Sequence, residues 1–569
     1  MKARRVLFLG FVLLIAVGCA QPATPTRDSG PGGQPAAPRS PRALQTVMRT
    51  EPPTLASKPL AAPGISIRHA TRILNAELDF LDGKEVARPY LAEALPQLNT
   101  DSWKVFPDGR METRYTLKPN LVWHDGTPLS AEDFAFAYRV YSTPALGTSS
   151  LAPIAQMEGI LAPDDRTIVI RWRQPYPDAA ALKDEFQALP RHILGPTVEN
   201  EAPDALVNHP YWTWEYVGLG PYKLERWEPG AFIEATAFDR HVLGRPKIDR
   251  VVIRFSQDEN TNLANLLAGA VDIATDRAIR FEQAMALRRE WGTTKGTAIL
   301  APGQPRFNMF QFRPEMANPR ATLDVRVRRA LATTLNRDAL NDGVFGGEGA
   351  MADTFVLPSI HYSAQLNQAI AKYPFDPRKA EEWMGEAGFT KDRDGLFASS
   401  SGERLTINLM VEVGAQNERD LAITENTWRR AGFDIKPQTI AASQLRDLQL
   451  RASFPNMYST ATGGGERNAL AQFTTGEAAR PEGRWAGSNR GAYANADVDR
   501  LFDSFSTTLE RSERDRQAIE LLKIVADQVP SMMLYFNYYV TAHNAAVSGP
   551  DPNGFDTLVF WDIHEWELR

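Results

Sequence analysis

The sequence predicts a mixed α/β fold. Short segments of alternating apolar residues give way repeatedly to stretches of helical period, and Gly, Pro, Asp or Asn marks most of the changes. The length of 569 residues also exceeds what one ordinary core organises and implies two to four domains or lobes.

At the N-terminus, Lys2, Arg4 and Arg5 precede the apolar run Val6–Val17, too short for a comfortable permanent membrane span. The run ends Ala16-Val17-Gly18-Cys19, small residues before the only cysteine. This reads as a lipoprotein signal peptide over residues 1–19, cleaved before an acylated Cys19 that serves as lipid anchor. An ordinary secretory signal with an incidental cysteine is the plainer alternative. Residues 20–43 are rich in Pro, Gly, Ser and Ala and cannot bury enough surface to fold, so they read as a disordered tether. In a polyproline-like form, at about 3.1 Å per residue, it reaches on the order of 70 Å.

The body opens with an expected strand at Leu44–Met48, ended by Glu51-Pro52-Pro53. Trp103–Val105 and Met111–Leu117 alternate on either side of Asp108-Gly109, a hairpin signal, and Thr167–Trp172 is a further strand. Gly218–Leu224, Ala231–Ala237 and Val251–Phe255 form a second β-rich region. A helix over Asn260–Gly269 and a strand start at Val271–Ala274 follow. Asp324 caps a helix with Val327, Ala330, Leu331 and Thr334 on one face. Asp376-Pro377 starts another, carrying Ala380, Trp383, Met384 and Ala387, with Gly388 where a C′ glycine belongs. Leu405–Val411 is a strand, Glu418–Ala431 a helix stopped by Gly432, and Phe433–Ile435 a strand. Helices over Ala496–Leu509 and Glu513–Val529 precede the apolar strand Met532–Tyr539. There is no repeat of solenoid period.

The most telling stretch is Leu121–Tyr141, LVWHDGTPLSAEDFAFAYRVY. It reads as a strand end (Leu121–Trp123), a turn at Asp125-Gly126, and a helix. Ser130 and Asp133 form a capping-box-like start, and Phe134, Ala137, Tyr138 and Tyr141 make an apolar stripe.

Composition excludes several functions. A net charge of −6 argues against broad nucleic-acid binding. One cysteine allows no intrachain disulfide, Cys₄ zinc site or CxxC pair. The eight histidines show no HxxxH or HExxH spacing, and there is no G-x-S-x-G elbow, P-loop or G-x-G-x-x-G after a strand. No catalytic residue, metal site or cofactor is therefore expected, and no enzyme.

W-H-D-G-T-P-L-S-A-E-D-F resembles the signature of the peptide/nickel class of extracytoplasmic substrate-binding proteins of ABC importers, solute-binding family 5. The likeness continues in order along the body. Gly218–Leu224 is similar to G-T-G-P-Y-x-L. Arg240–Asp249 is similar to N-x-x-Y-x-G-x-P-x-I-D, with His241 and Leu243 as departures. Leu267–Asp272, Asp324–Leu331 and Tyr373–Gly388 match further elements, the last with Trp383 for the usual Leu.

The resemblance implies a periplasmic-binding-protein-like fold of cluster C type, with two lobes joined by a hinge and an additional inserted lobe. Lobe I would comprise residues 44–72, 201–300 and 547–569, the inserted lobe 73–200, and lobe II 301–546. A membrane-anchored, extracytoplasmic monomer would capture a peptide or other small solute between lobes and deliver it to the transmembrane permease subunits. A ligand-sensing or scaffold lipoprotein of the same fold is the alternative.

Candidate ligand contacts are Glu51 and Pro53, at the place that in the family lies beside the ligand. Others are Tyr458, Thr460, Thr462 and Gly463 in the loop YSTATGGG, and, less strongly, Trp485 and Asn489. Tyr211, Trp212 and Trp214 read as a wall near a lobe junction. Peptide-binding members carry an Asp for the ligand amine where Thr462 stands here in approximate register. Either Glu466 replaces it, or the ligand is not a peptide held by its amine.

Overall fold

A computed structural model describes residues 43–58, 60, 68–146, 152–182, 185–461, 465–551 and 559–569. The signal segment, Cys19 and the tether through residue 42 lie outside the described residues, as do Thr462 and Gly463. The strands used below are β1 (Ala43–Met48), β2 (Trp103–Val105), β3 (Met111–Thr116), β4 (Met157–Asp164), β5 (Thr167–Trp172), β6 (Tyr222–Glu228), β7 (Phe232–Ala237) and β8 (Arg250–Phe255). They continue with β9 (Ile273–Ala274), β10 (Gly296–Phe310), β11 (Ala350–Met351), β12 (Thr406–Glu412), β13 (Asp434–Ile440), β14 (Met457–Ala461) and β15 (Ser531–Asn544). The helices are α1 (Ala131–Tyr141), α2 (Glu259–Leu267), α3 (Phe281–Trp291), α4 (Val325–Thr333), α5 (Arg337–Phe345) and α6 (Ser363–Ala369). After them come α7 (Pro377–Glu386), α8 (Ala415–Ala431), α9 (Glu466–Ala471), α10 (Ala496–Thr507) and α11 (Arg511–Gln528).

One sheet runs in the order β13-β12-β14-β10-β15-β9-β1-β8-β7-β6, with β11 added on β15. At one end β1 is parallel to β8 and β9, and at the other β12 is parallel to β13 and β14. Two long antiparallel strands, β10 and β15, connect the ends. Ala298 opposes Ala542, which opposes Ala274 of β9; farther along, Arg306 lies between Tyr535 and Ala461 of β14. The half holding β1 and β6–β9 is lobe I, and the half holding β12–β14 is lobe II. The register of β10 on β15 shifts between Pro302 and Pro305, where the strands pass from one lobe to the other. Proline has no N–H to give a ladder, so it is tolerated at such an irregularity. Gly303 is needed there because the Tyr539 ring occupies the space a Cβ would take.

Lobe II is three layers thick. One face of its strands packs on α4, α5, α7 and α8 through Val327, Leu340, Met384 and Trp428. The other packs on α6, α10 and α11 through Leu366, Phe505 and Leu521. The smaller sheet, β2-β3-β5-β4, with α1 forms the inserted lobe. Its Trp123, Phe134, Tyr141 and Trp172 belong to the same buried cluster as Leu44 and Met48 of β1 and Ile253 of β8. The insertion thus shares its core with lobe I.

Most expected elements are present within a few residues. Asp324 and Asp376 cap their helices, accepting from Arg326 N and from Arg378 and Lys379 N, and Gly388 and Gly432 adopt positive φ at the helix ends. Three segments differ. Leu121–Trp123 is not a strand, because Trp123 N–H donates to Thr127 within the turn and His124 N–H to Gly218, leaving one bridge, Val122 to Pro128. Gly218–Pro221 is not a strand either: it lies so close to Leu74 and Asn75 that a Cβ at Gly218 or Gly220 would overlap their backbone. The final strand runs to Asn544 rather than Tyr539, because it crosses into lobe I.

Candidate functional site

The direction of the strands places the site. β1, β8 and β9 run toward lobe II and end at Met48, Phe255 and Ala274. β12 and β14 run toward lobe I and end at Glu412 and Ala461. The carboxyl ends of two parallel sets therefore face each other across β10 and β15. The crevice outside such ends is where α/β sheets receive ligands, since no ladder consumes the backbone there. Eight steps separate Ala298 from Arg306, which at about 3.3 Å per residue is a span of at most about 26 Å.

On the lobe I side, Asp276 and Arg277 follow β9 with φ of 49° and 60°. Two successive non-glycine residues in the left-handed region cost about 1–3 kcal/mol each, and such strain gathers at ligand clamps. The Arg277 guanidinium lies 5.7 Å from the centre of the Tyr539 ring on the connecting strand. Burial pushes the Asp276 carboxyl up to about 6, while Arg277 and the Thr50 backbone N–H pull it the other way.

On the lobe II side a polar chain enters the core from the connecting strands. Gln416 Nε2 donates to Asn537 Oδ1 at 2.9 Å and to the Tyr535 hydroxyl at 3.1 Å. Tyr535 donates to Asp420 Oδ2 at 2.7 Å, which also receives Arg306 Nε at 3.0 Å. Arg306 and Asp420 are both buried. β12 ends at Glu412 and α8 begins at Ala415, so this helix points its positive end into the crevice.

The expected contacts separate into groups. Glu51 is at the lobe I rim, but its carboxylate accepts from Trp227 Nε1 at 2.7 Å and from Gly230 N–H at 2.9 and 3.0 Å, fastening the β6–β7 hairpin. Pro53 is exposed nearby. Tyr458 and Thr460 are 0% and 1% exposed; Tyr458 donates to Glu412 Oε1 at 2.5 Å and receives Arg451 Nε at 3.1 Å, so both turn into lobe II rather than the crevice.

Trp485 and Asn489 fall elsewhere. Their loop is fastened at the far end of β10, where Phe312 N–H donates to Gly491 O, and the Asn489 amide is spent on Thr474 O and the Tyr493 backbone. Glu466, half-buried at the start of α9, accepts from the Tyr362 hydroxyl at 2.5 Å. Tyr211 and Trp212 are core residues, whereas Trp214 is exposed.

Sequence reasoning missed Asp276, Arg277, Arg306 and Tyr539. The run Ala274-Thr275-Asp276-Arg277 holds no Gly or Asn, and Asp276 alone, which tolerates left-handed backbone, is too weak a signal to announce two such residues in a row. Among the described residues no group of three or more His, Cys, Asp or Glu is placed to hold a metal, and no helix is long and apolar enough to cross a membrane.

The family model of the bacterial extracellular solute-binding proteins, family 5, matches residues 93–478. The chain belongs to this family. Family 5 relatives include a Brucella ovis protein named as an ABC transporter peptide-binding protein, 26% identical over 294 residues. That alignment takes in 51% of each chain, so the match spans about half the length of this relative. The oligopeptide-binding protein AppA of Bacillus subtilis is 23% identical over 477 residues, 82% of each chain. Among solved structures, NikZ from Campylobacter jejuni in complex with Ni(L-His) superposes with a TM-score of 0.74 at 20% identity, over 92% of this chain and 99% of that one. The family is one of bacterial extracellular solute-binding proteins.

The family signature also has a physical role here. His124 Nδ1 accepts from Gly218 N–H at 3.1 Å, and its Nε2–H donates to Gly220 O at 3.0 Å. The W-H-D-G stretch thereby ties the inserted lobe to the G-L-G-P segment of lobe I.

Proposed function

We propose that this family 5 protein captures a peptide or other small solute between lobes I and II and delivers it to the permease subunits of an ABC importer. The observation that carries the reading is the opposition of two sets of strand carboxyl ends across β10 and β15, with strained Asp276-Arg277 on one side. The names of the Brucella ovis and Bacillus subtilis relatives favour a peptide. Arg277, Asp276, Tyr539 and Asn537 are the contacts we assign from the structure. Pro53, Thr462 and Gly463 remain assigned from the sequence; Glu51, Tyr458 and Thr460 shape the walls behind them.

Glu466 is the acid available to a ligand amine on the lobe II side, its carboxylate oriented by Tyr362. Capture works because contacts to both lobes exist only when they are closed together. A shift from 1:99 to 99:1 needs about 5.5 kcal/mol of differential affinity. The body acts as a monomer held outside the cytoplasm by acylated Cys19 and a tether that ends at residue 42, one residue short of the expected 43 because Ala43 already pairs with Arg250 in β1, and it hydrolyses nothing.

The test combines native mass spectrometry of the purified protein with X-ray scattering, before and after a pooled tri- to pentapeptide library. Retention of peptides with compaction supports the proposal. Retention without compaction, turnover of the peptides, or capture of a non-peptide solute alone overturns the corresponding part. Separately, Cys19→Ala should release the protein from membranes, and unchanged fractionation would refute the anchor.

A further inference from the structure

A loop of lobe II, residues 484–492, is held in a conformation that its sequence does not favour. Arg484, Trp485 and Ala492 adopt φ of 52°, 60° and 55°. Left-handed backbone at residues other than glycine is costly and persists only where the surroundings over-determine it. Here they do. Arg313 Nη1 donates to Arg490 O at 2.8 Å and to Ala452 O at 3.2 Å, and its Nη2 donates to Ala479 O, so one guanidinium staples these segments together. Gly491 lies so close to Phe310 that a Cβ would overlap the Phe310 carbonyl oxygen. The Asn489 side chain is spent on the backbone of Thr474 and Tyr493.

The side chain that this frame presents is Arg490. It is partly exposed, and its guanidinium makes no hydrogen bond or ion pair with any described residue. None of its nitrogens is among the sealed polar atoms of the interior, so a ligand can reach them. From a loop anchored at the far end of β10, the guanidinium comes within electrostatic range of Arg451, Tyr458 and Glu412. Those three are already engaged with one another. Tyr458 donates to Glu412 Oε1 at 2.5 Å and accepts from Arg451 Nε at 3.1 Å, while Arg451 Nη2 stands 3.9 Å from Glu412 Oε1. Two arginines thus face one carboxylate, and Arg490 is the one left without it. Burial and the like charge of Arg451 pull Arg490 down from 12.5 to about 10, against the weaker pull of Glu412. An arginine kept for structure alone spends its fork of donors on the protein.

Glu412 is the last residue of β12, at the end that faces the crevice. We propose that Arg490 is a specificity-determining residue of lobe II that receives a carboxylate of the captured solute, either the C-terminus of a peptide or an acidic side chain. The inference rests on the solute capture proposed above. A carboxylate supplies the counter-charge the cluster lacks and matches the planar guanidinium fork. The strained, stapled loop fixes the guanidinium in advance, so less order has to be created when the solute arrives.

The experiment is isothermal titration of the full chain with Ala-Ala-Ala, its C-terminal amide, and Ala-Glu-Ala amide. Recognition of the terminal carboxylate makes Ala-Ala-Ala at least about tenfold tighter than its amide. Recognition of a side chain makes Ala-Glu-Ala amide tighter than Ala-Ala-Ala amide by a similar factor. Arg490→Gln should abolish whichever preference the wild type shows, and Arg490→Lys, which keeps the charge, should retain part of it. Thermal unfolding of Arg490→Gln should be unchanged or shifted upward, because a desolvated, unpaired charge is removed. Wild-type protein that binds all three probes alike, a preference that survives Arg490→Gln, or a variant that loses stability or fails to fold overturns the assignment. Binding of none of the tripeptides would instead count against the peptide reading itself. Glutarate then replaces them as probe, and glutarate binding that is absent or undiminished in Arg490→Gln overturns the role of Arg490.

Discussion

Arg514 of α11 donates from both Nη1 and Nη2 to Asp178 Oδ1, each at 3.4 Å, joining lobe II to the segment after β5 of the inserted lobe. The Arg514 side chain is buried, lies 4.7 Å from the Phe505 ring centre, and leaves Nε without a partner among the described residues. Beside it Tyr176 is buried, its hydroxyl pushed up by desolvation, with Arg467 and Arg514 close enough to oppose the shift. This contact exists only when the two lobes stand together, so it adds weight to the closed form before any solute arrives. Asp178 is partly exposed, which limits the pair to about 1 kcal/mol. Asp178→Asn should move the open–closed ratio about fivefold toward open. X-ray scattering without solute should then show a larger radius of gyration, and solute affinity should fall by the same factor. An unchanged scattering curve would remove the contact from the account of closure.

His124 gives the protein a defined acid sensitivity. Burial pushes its pKa from 6.5 to about 4, because an imidazolium there would lose both water and the Gly218 N–H bond at Nδ1. Between pH 6.5 and 4 the unfolded chain binds the proton and the folded one does not, so stability rises with pH across that window. The contribution is complete above pH 6.5 and is lost as pH falls toward 4, up to about 3 kcal/mol. Urea unfolding at pH 7.5 and pH 4.5 should show a smaller difference in His124→Asn than in the wild type. Equal differences would mean the buried imidazole is not the titrating group.

Much of the fold was readable because local rules and tertiary structure agree. Asp324, Asp376, Gly388 and Gly432 stop or start helices by backbone chemistry that needs no partner from elsewhere. β10 was not readable: Pro302, Gly303 and Pro305 break every strand pattern, and the segment is a strand only because β14 and β15 flank it. The site suffered for the same reason. Tyr458 and Thr460 sit in a strand where alternate residues go to opposite faces, and a loop rich in small residues hid which face they take. Arg306 and Asp420 are 114 residues apart, a separation that no spacing argument bridges.

The Arg306–Asp420 pair should be costly to break and cheap to replace. Both side chains are at or below 3% exposure, and Asp420 also receives the Tyr535 hydroxyl. Asp420→Asn leaves a buried guanidinium uncompensated, and a loss of about 3–5 kcal/mol is expected in denaturant unfolding. The double variant Arg306→Met, Asp420→Leu should recover most of it, since paired burial of charges contributes little net stability. A double variant as unstable as the single one would show that the network holds the sheet in a way that apolar packing does not reproduce.

Gly303 tests the passage between lobes. A methyl group there would overlap two carbons of the Tyr539 ring, so Gly303→Ala must displace the ring. Overpacking of this kind costs about 1–3 kcal/mol. Because Arg277 stacks on the same ring, the variant should weaken solute binding beyond what its stability loss explains. Removing the obstacle with Gly303→Ala, Tyr539→Ala should restore stability but not affinity. If affinity returns as well, Tyr539 is a structural filler and not a contact.

Asp276 is where stability and capture should conflict. Its carboxyl is held at about 6 against an ordinary 3.8, so at neutral pH the folded protein bears the cost of an ionised group with too little water. That cost is full above pH 6 and absent below pH 3.8, where both states are protonated. Asn removes the charge, keeps the shape, and tolerates the left-handed backbone better than most residues. Asp276→Asn should therefore stabilise the protein by up to about 3 kcal/mol at pH 8, with the gain shrinking as pH falls toward 4. Group strain at ligand sites is commonly exchanged for binding, so the same variant should bind the captured solute more weakly. A solute amine facing Asp276 predicts a loss that grows with pH through the range in which Asp276 ionises, measured as dissociation constants at pH 5 and pH 8. Wild-type stability with unchanged affinity would place Asp276 outside the site.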